Sequence, residues 1–364
     1  MRILFINSIL RTAEKGVIPE ADSIKDSMAY NFCLAFRKLG HDVVLIAAEE
    51  YRPLRNEHYD MDVLFMKSYL PKLFPPAQIP FHPGLIRLLF EKGASFDLII
   101  SGEVFSINSL ISAILTPQTL VIWHELPLHP RKFLGVPSKV WYALIPKLFM
   151  KNVCIVPRSE RARTFLLGYF HSLCPITVAH GVDLNKFCQQ VTKDDYFVIV
   201  SRLVLGKRVD KSIRAFSEMI RNSPYQHYRL VIVGDGDQRA PLQELVNAMG
   251  IANLVNFVGR LHHEDVVEYL GRAKAMLVST EQDNSMFTIW ESIACATPII
   301  SNTIPDNTDF VIKHNLGIVR DDWNESDLIH VVRNNREYVR NCANVRHWIS
   351  FEAYAMKMVV ARTA

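Results

Sequence analysis

Two acidic residues eight positions apart, Asp283 and Glu291, bracket the run Asp283-Asn-Ser-Met-Phe-Thr-Ile-Trp-Glu291. Eight residues on one continuous helix turn through about 800°, which returns to nearly the same face. Asn284 and Ser285 favour a loop at the start of the run, so the spacing predicts one carboxylate in a loop and the other on the helix behind it. A polar loop that ends in a helix start is a place to grip a polyhydroxyl ligand. Further upstream, Ser201-Arg202-Leu-Val-Leu-Gly-Lys207-Arg208 follows the apolar run 197–200 directly. A strand that opens onto a helix offers main-chain N–H groups and roughly half a positive charge to an anion. Arg202 brings a planar fork and Lys207 a point charge, a pair that suits a diphosphate at about 1.5–3 kcal/mol for each charge-assisted bond. Arg208, beside them, reads as a surface residue.

Three other groups stand at the ends of apolar runs. Gly234-Asp235-Gly236-Asp237 follows 230–233, and its glycines permit positive φ and close approach of backbone to a ligand. Val121-Ile-Trp-His124-Glu125 ends a run of the first half; a lone histidine there is more often a satisfied structural residue than a ligand to a substrate. His180-Gly181-Val182-Asp183 leads to Phe187 and reads as a turn, and Ser159 reads as a helix cap. Asp22, Ser23 and Asp26 lie in a polar stretch equally consistent with hydroxyl binding and with a solvated loop.

Between these groups, short continuous apolar runs alternate with helix-length segments. The first series is 3–6, 43–47, 98–100, 120–123, 153–156 and 176–178; the second is 197–200, 230–233, 255–258, 275–278 and 298–301. Continuous rather than alternating apolar runs predict parallel strands covered on both faces. Helices are expected over 26–40, 209–220, 241–249 and 346–364, with Trp348, Phe351, Tyr354 and Met358 of the last forming an apolar face. At 364 residues and 49% hydrophobic content, two domains with a core each are expected. The formal charge of +4 is too mild for a nucleic-acid partner. Six cysteines without a C-x-x-C pair read as reduced thiols of a cytoplasmic protein. Neither a signal peptide nor a membrane span is expected. The stretch 139–151, with Arg131 and Lys132 upstream, interleaves aromatics and lysines as a lipid interface would require. Burial against a sheet accounts for the aromatics as well, and Pro146 is expected to break the helical pattern.

The acidic pair, with Ser292-Ile-Ala-Cys-Ala-Thr-Pro298-Ile-Ile behind it, resembles the E-x7-E segment of the retaining glycosyltransferase family 4, the group 1 glycosyltransferases. Asp283 stands for the usual first Glu and Ala296 for the usual Gly. Ser201-Arg202 through Lys207, the Gly234-x-Gly236 turn and the passage 175–187 are similar to further segments of that family. The resemblance implies an α/β fold of GT-B type, two Rossmann-like doubly wound parallel-sheet domains facing across a cleft. It places an acceptor-side domain at 1–188, a nucleotide-sugar-binding domain at 189–345, and a terminal helix at 346–364 crossing back. It implies transfer of a sugar, with retention, from a nucleotide-diphosphate donor to an acceptor hydroxyl in polysaccharide, glycolipid or related synthesis. Arg202 and Lys207 would hold the departing diphosphate and Glu291 the ribose. Asp283 and the amides after it, through Asn284, Ser285, Met286 and Phe287, would hold the sugar; Gly234 and Gly236 would lie by the nucleotide and His124 would face the donor sugar. No metal and no cofactor beyond the donor substrate is expected, and Asp235-x-Asp237 is read as a coincidental match to another fold's metal motif. The acceptor would be a carbohydrate or lipid-linked, with peripheral contact to the inner membrane face as a further expectation. The stretch 7–27 departs from the family in lacking paired glycines, which keeps open a non-catalytic sugar-nucleotide or lipid-binding subunit. A nucleotide-sugar epimerase or a phosphorylase on the same plan is the enzymatic alternative.

Overall fold

The computed structural model describes every residue of the chain except 12, 14–16, 131–133, 191, 222–223, 284 and 363–364. The chain forms two compact units, Met1–Gly181 with Phe351–Ala364, and Val182–Ser350. Each is built on a six-stranded parallel sheet.

In the first unit the strands are β1 (Arg2–Ile6), β2 (Asp42–Ala48), β3 (Asp62–Met66), β4 (Leu98–Gly102), β5 (Leu120–His124) and β6 (Cys154–Pro157), in the order β3-β2-β1-β4-β5-β6. The central strands are buried on both faces, which is why their sequences read as unbroken apolar runs. The first crossover helix, α1 (Met28–Lys38), starts at Ser27, whose side chain accepts from the Tyr30 N–H. It ends in a Schellman turn: His41 N–H donates to Phe36 O and Gly40 N–H to Arg37 O, with Gly40 at φ 85°. Helices α2 (Pro83–Lys92), α3 (Ile107–Leu115), α4 (Gly135–Phe149) and α5 (Glu160–Leu167) complete the crossovers. The terminal helix of the chain, Phe351–Ala361, packs against α1, with Phe351, Tyr354 and Met358 buried.

Three expectations are corrected in detail. Residues 176–178 form no strand, because Trp123 Nε1 takes the Val178 carbonyl at 2.6 Å and only the Val178 N–H reaches the sheet, at Pro157 O. Pro146 does not end α4, which runs on to Phe149 with Pro146 buried inside it. Trp348 is 44% exposed, since 346–349 is a separate 3-10 turn, and its ring meets His314 rather than the face that Phe351 belongs to. The edge strand β3, partly exposed, was not expected.

The second unit carries β7 (Tyr196–Val200), β8 (Arg229–Val233), β9 (Val255–Gly259), β10 (Ala275–Val278), β11 (Ile299–Ser301) and β12 (Gly317–Val319), ordered β12-β11-β10-β7-β8-β9. The short edge strand β12 also escaped the sequence reading. Helices α6 (Val209–Ile220), α7 (Arg239–Ala248), α8 (His263–Arg272), α9 (Phe287–Ala294), α10 (Thr308–Lys313), α11 (Glu325–Arg333) and α12 (Asn335–Val345) cover the sheet. Its core joins Phe197, Leu230, Ile232 and Leu277 to Ile213 and Phe216 of α6. Residues 182–188 and 346–350 belong to this unit, where 188/189 and 345/346 had been the expected limits. Arg346 donates to the carbonyls of Leu184 and Phe187, and Phe187 packs on His263.

Candidate functional site

Because all strands of the second sheet are parallel, the loops after β7, β8 and β10 emerge at one edge. The chain leaves β7 toward β8 on one side and returns to β10 on the other, so β7 and β10 flank the topological switch point where open α/β sheets bind ligands. Lys207, after β7, and Asp283, after β10, form an ion pair across that point. Main-chain bonds stitch the same loops together: Glu281 N–H donates to Gly206 O at 2.9 Å, and Thr280 Oγ1 to Gly206 O at 3.2 Å. Asn302 fixes the start of the β10 loop, giving Nδ2–H to Thr280 O at 2.6 Å. Arg208 is no loose surface residue. It sits at φ 42° and is held by Asp210 at 3.0 Å and Glu281 at 2.7 Å.

The glycine turn after β8 is required by the loop it lies against. A Cβ on Gly234, at φ 137°, would sit 1.8 Å from Ser201 O, and one on Gly236 would sit 2.3 Å from Leu203 O. Leu203 N–H in turn donates to Asp235 O at 2.9 Å. The turn therefore forms the bed on which the Arg202 segment rests, with Arg202 itself exposed. Asp235 is engaged by Arg239 at 3.1 Å and by the Gly236 N–H.

Asp283 lies in the loop and Glu291 on α9, the division that the polar start of the run implies. Glu291 is nearly buried and its Oε1 lies 2.6 Å from His263 Nε2 at the start of α8. Phe187 packs edge-on to that imidazole at 5.0 Å. Before α9, Ser285 Oγ accepts from Trp290 Nε1 at 3.3 Å. Asn307 brackets Met286, accepting its N–H at 3.3 Å and donating to its carbonyl at 2.8 Å, so the main-chain donor expected at Met286 is already engaged. Phe287 opens the helix; Asn284 lies outside the described residues. Helix α9 closes in a Schellman turn with Ala296 at φ 56°, where glycine would be unstrained.

In the first unit His124 ends β5 and is 0% exposed. Its Nε2 donates to Leu126 O at 2.8 Å, and its Nδ1 lies 2.8 Å from Glu103 Oε2, so both ring nitrogens are engaged within the unit. Glu103 follows β4 at φ 66° and accepts the Glu125 N–H. Glu125 is paired with Arg158 at 2.7 Å and His180 at 3.4 Å, and the Arg158 guanidinium stacks 3.7 Å above Trp123. Burial would raise the Glu103 carboxyl, but the charge and hydrogen bond of His124 outweigh it and hold it below the ordinary range. Burial is likewise overcome at Glu125 by His180 and Arg158, which hold it far below that range. Of the residues before α1, Ser23 gives its hydroxyl to Glu57, and Asp22 lies 3.9 Å from Arg55.

The structure thus brings Lys207 to Asp283, sets the 234–236 turn under Arg202, and pairs Glu291 with His263. His263, Asn302 and Asn307 were missed from sequence. A histidine opening a helix just after a strand end was the only available signal for the first.

Residues 184–334, all inside the second unit, match the family model for glycosyl transferases group 1. The exopolysaccharide phosphotransferase of Streptomyces coelicolor is 30% identical over 119 residues, which is 32% of this chain and 12% of that protein. The alpha-monoglucosyldiacylglycerol synthase of Acholeplasma laidlawii is 26% identical over 110 residues, 30% of this chain and 27% of that one. The matched segments thus span well under half the length of either curated relative. HepE of Anabaena, solved in complex with UDP, shares the fold over 100% of both chains at a TM-score of 0.66 and 13% identity. Among the described residues no helix is long and apolar enough to cross a membrane. Over residues 184–334 the chain is thus similar to the group 1 glycosyltransferases, and its two parallel-sheet units have the fold of the GT-B glycosyltransferases.

Proposed function

We propose that the chain is a retaining glycosyltransferase that takes a sugar from a nucleotide-diphosphate donor and passes it to the hydroxyl of a carbohydrate or lipid-linked acceptor. The observation that carries this reading is the Lys207–Asp283 pair across the switch point of the second sheet, with Glu291 set behind it on α9. In the reaction Arg202 and Lys207 meet the negative charge that grows on the departing diphosphate, as preorganised cations do. Asp283 accepts from sugar hydroxyls, and Glu291, oriented by His263, accepts from the ribose. The leaving phosphate oxygen takes the acceptor proton, so the scheme asks for no metal, no cofactor and no protein nucleophile. His124 keeps Glu103 and the turn after β5 in place. HepE was solved with UDP, and a nucleoside diphosphate of that kind is the donor half we assign to the second unit. We place the protein in the cytoplasm.

A thermal-shift screen against uridine, guanosine and adenosine diphosphates and their sugars tests the reading. A ligand at a hundred times its Kd stabilises by about 2.7 kcal/mol. Anomeric coupling constants in the product of the best donor then read retention. A protein that responds to none of these nucleotides, or a product of inverted configuration, overturns it.

A further inference from the structure

We infer that α4 of the first unit is a docking helix that lies flat on an anionic lipid bilayer. The helix is apolar on two sides. Ser138, Tyr142 and Pro146 are buried, with the Tyr142 ring packed on His124, Phe165 and Tyr169. On the outer side Val136, Val140, Leu144 and Leu148 recur every four residues and are 72%, 54%, 53% and 66% exposed. Residues at that spacing share one helix face, and nothing among the described residues covers it. An apolar helix face is ordinarily covered by its protein; this helix turns one such stripe outward.

Charge selects the occupant. Lys139, Lys147 and Lys151 lie exposed along this stripe, and no Asp or Glu stands anywhere between Glu125 and Glu160. The chain as a whole has 41 basic and 37 acidic side chains, so this one-signed stretch is not a consequence of composition. Apolar side chains flanked by lysines match the layering of a bilayer surface, with acyl chains below and anionic headgroups beside them. The 15-residue helix is about 22 Å long, enough to lie along the interface and too short to span it. A second copy of the chain fits less well, because a twofold contact through this face would set like charges together. The inference rests on the surface of the first unit and is independent of the donor-site reading.

The test is co-sedimentation of the full chain with vesicles of phosphatidylcholine alone and of phosphatidylcholine mixed with phosphatidylglycerol. The expected result is binding to the mixed vesicles that weakens as salt is raised. Replacing Lys139, Lys147 and Lys151 together by Gln should weaken it on the order of 100-fold, at roughly fivefold for each lysine. V140S/L144S should weaken it about tenfold or more. All five positions are exposed, so the melting temperature and the nucleotide response of the variants should match the parent. No sedimentation with anionic vesicles, or binding that neither variant alters, overturns the inference. So does a concentration-dependent dimer that V140S/L144S abolishes while vesicles bind nothing.

Discussion

His263 Nε2 stands 2.6 Å from Glu291 Oε1, and Phe187 closes on the same imidazole at 5.0 Å. The carboxylate is nearly buried on α9 while the histidine side chain is 43% exposed at the start of α8, so a ligand gripped by Glu291 meets an acid already aimed by its neighbour. Glu291→Gln should weaken nucleoside-diphosphate binding by about 1.5–3 kcal/mol, the range for a charged hydrogen bond, and His263→Ala by about 0.5–1.5 kcal/mol. The double variant should cost less than the sum, because the two act through one contact. Titration calorimetry reads all three. Strict additivity would separate the residues.

The proposed reaction puts its heaviest demand on Arg202 and Lys207. If they stabilise charge that develops on the leaving diphosphate, Arg202→Ala and Lys207→Ala should each lower kcat by about 10²–10³ while donor affinity changes far less. Lys207→Ala also releases Asp283 from its partner, so Asp283→Ala serves as the companion: its loss should raise KM for the sugar conjugate more than for the bare nucleotide. Unchanged turnover in Arg202→Ala would end the assignment.

These residues were legible in sequence because each stands at a strand end, where the parallel sheet leaves no choice of edge. Arg202 follows β7 and Asp283 follows β10, and both strands are unbroken apolar runs. His263, Asn302 and Asn307 were not legible: their roles come from side chains meeting across loops far apart in sequence, and each alone is an ordinary polar residue. The strands β3 and β12 were missed for a related reason. They are edge strands, only partly buried, so burial imposes little apolar pattern on them. The stretch 176–178 reads as a strand because it is a short apolar run, and Val178 is indeed buried, yet its carbonyl goes to an indole instead of a ladder.

The glycines of the 234–236 turn yield a prediction with an internal control. Gly234→Ala sets a methyl carbon 1.8 Å from Ser201 O at φ 137° and should destabilise the second unit by about 3 kcal/mol or more, with loss of the nucleotide response as the Arg202 segment shifts. Gly206→Ala, in the loop after β7, meets nothing within 4 Å and should change stability by less than about 1 kcal/mol. Thermal unfolding of the pair decides whether the turn supports the loop. Equal behaviour would show that it does not.

The carboxylates around His124 contribute to the acid response of the first unit. Glu103 and Glu125 are both held below the ordinary value of 4.5 in the folded chain. A depressed folded value means that the unfolded chain binds protons more readily. The stability they contribute is therefore complete above about pH 4.5 and is lost as pH falls through the folded values. Glu125→Gln removes one of them and leaves Arg158, 8% exposed, without its carboxylate. At neutral pH the variant should be less stable by about 3 kcal/mol. As pH falls, the parent loses the same contribution, so the gap between parent and variant should narrow. Hydrogen exchange along β5 reports this unit alone, and its protection in parent and variant should converge on acidification. A gap that stays constant from neutral pH into acid would mean that Glu125 is held by packing and that its charge contributes nothing to the fold.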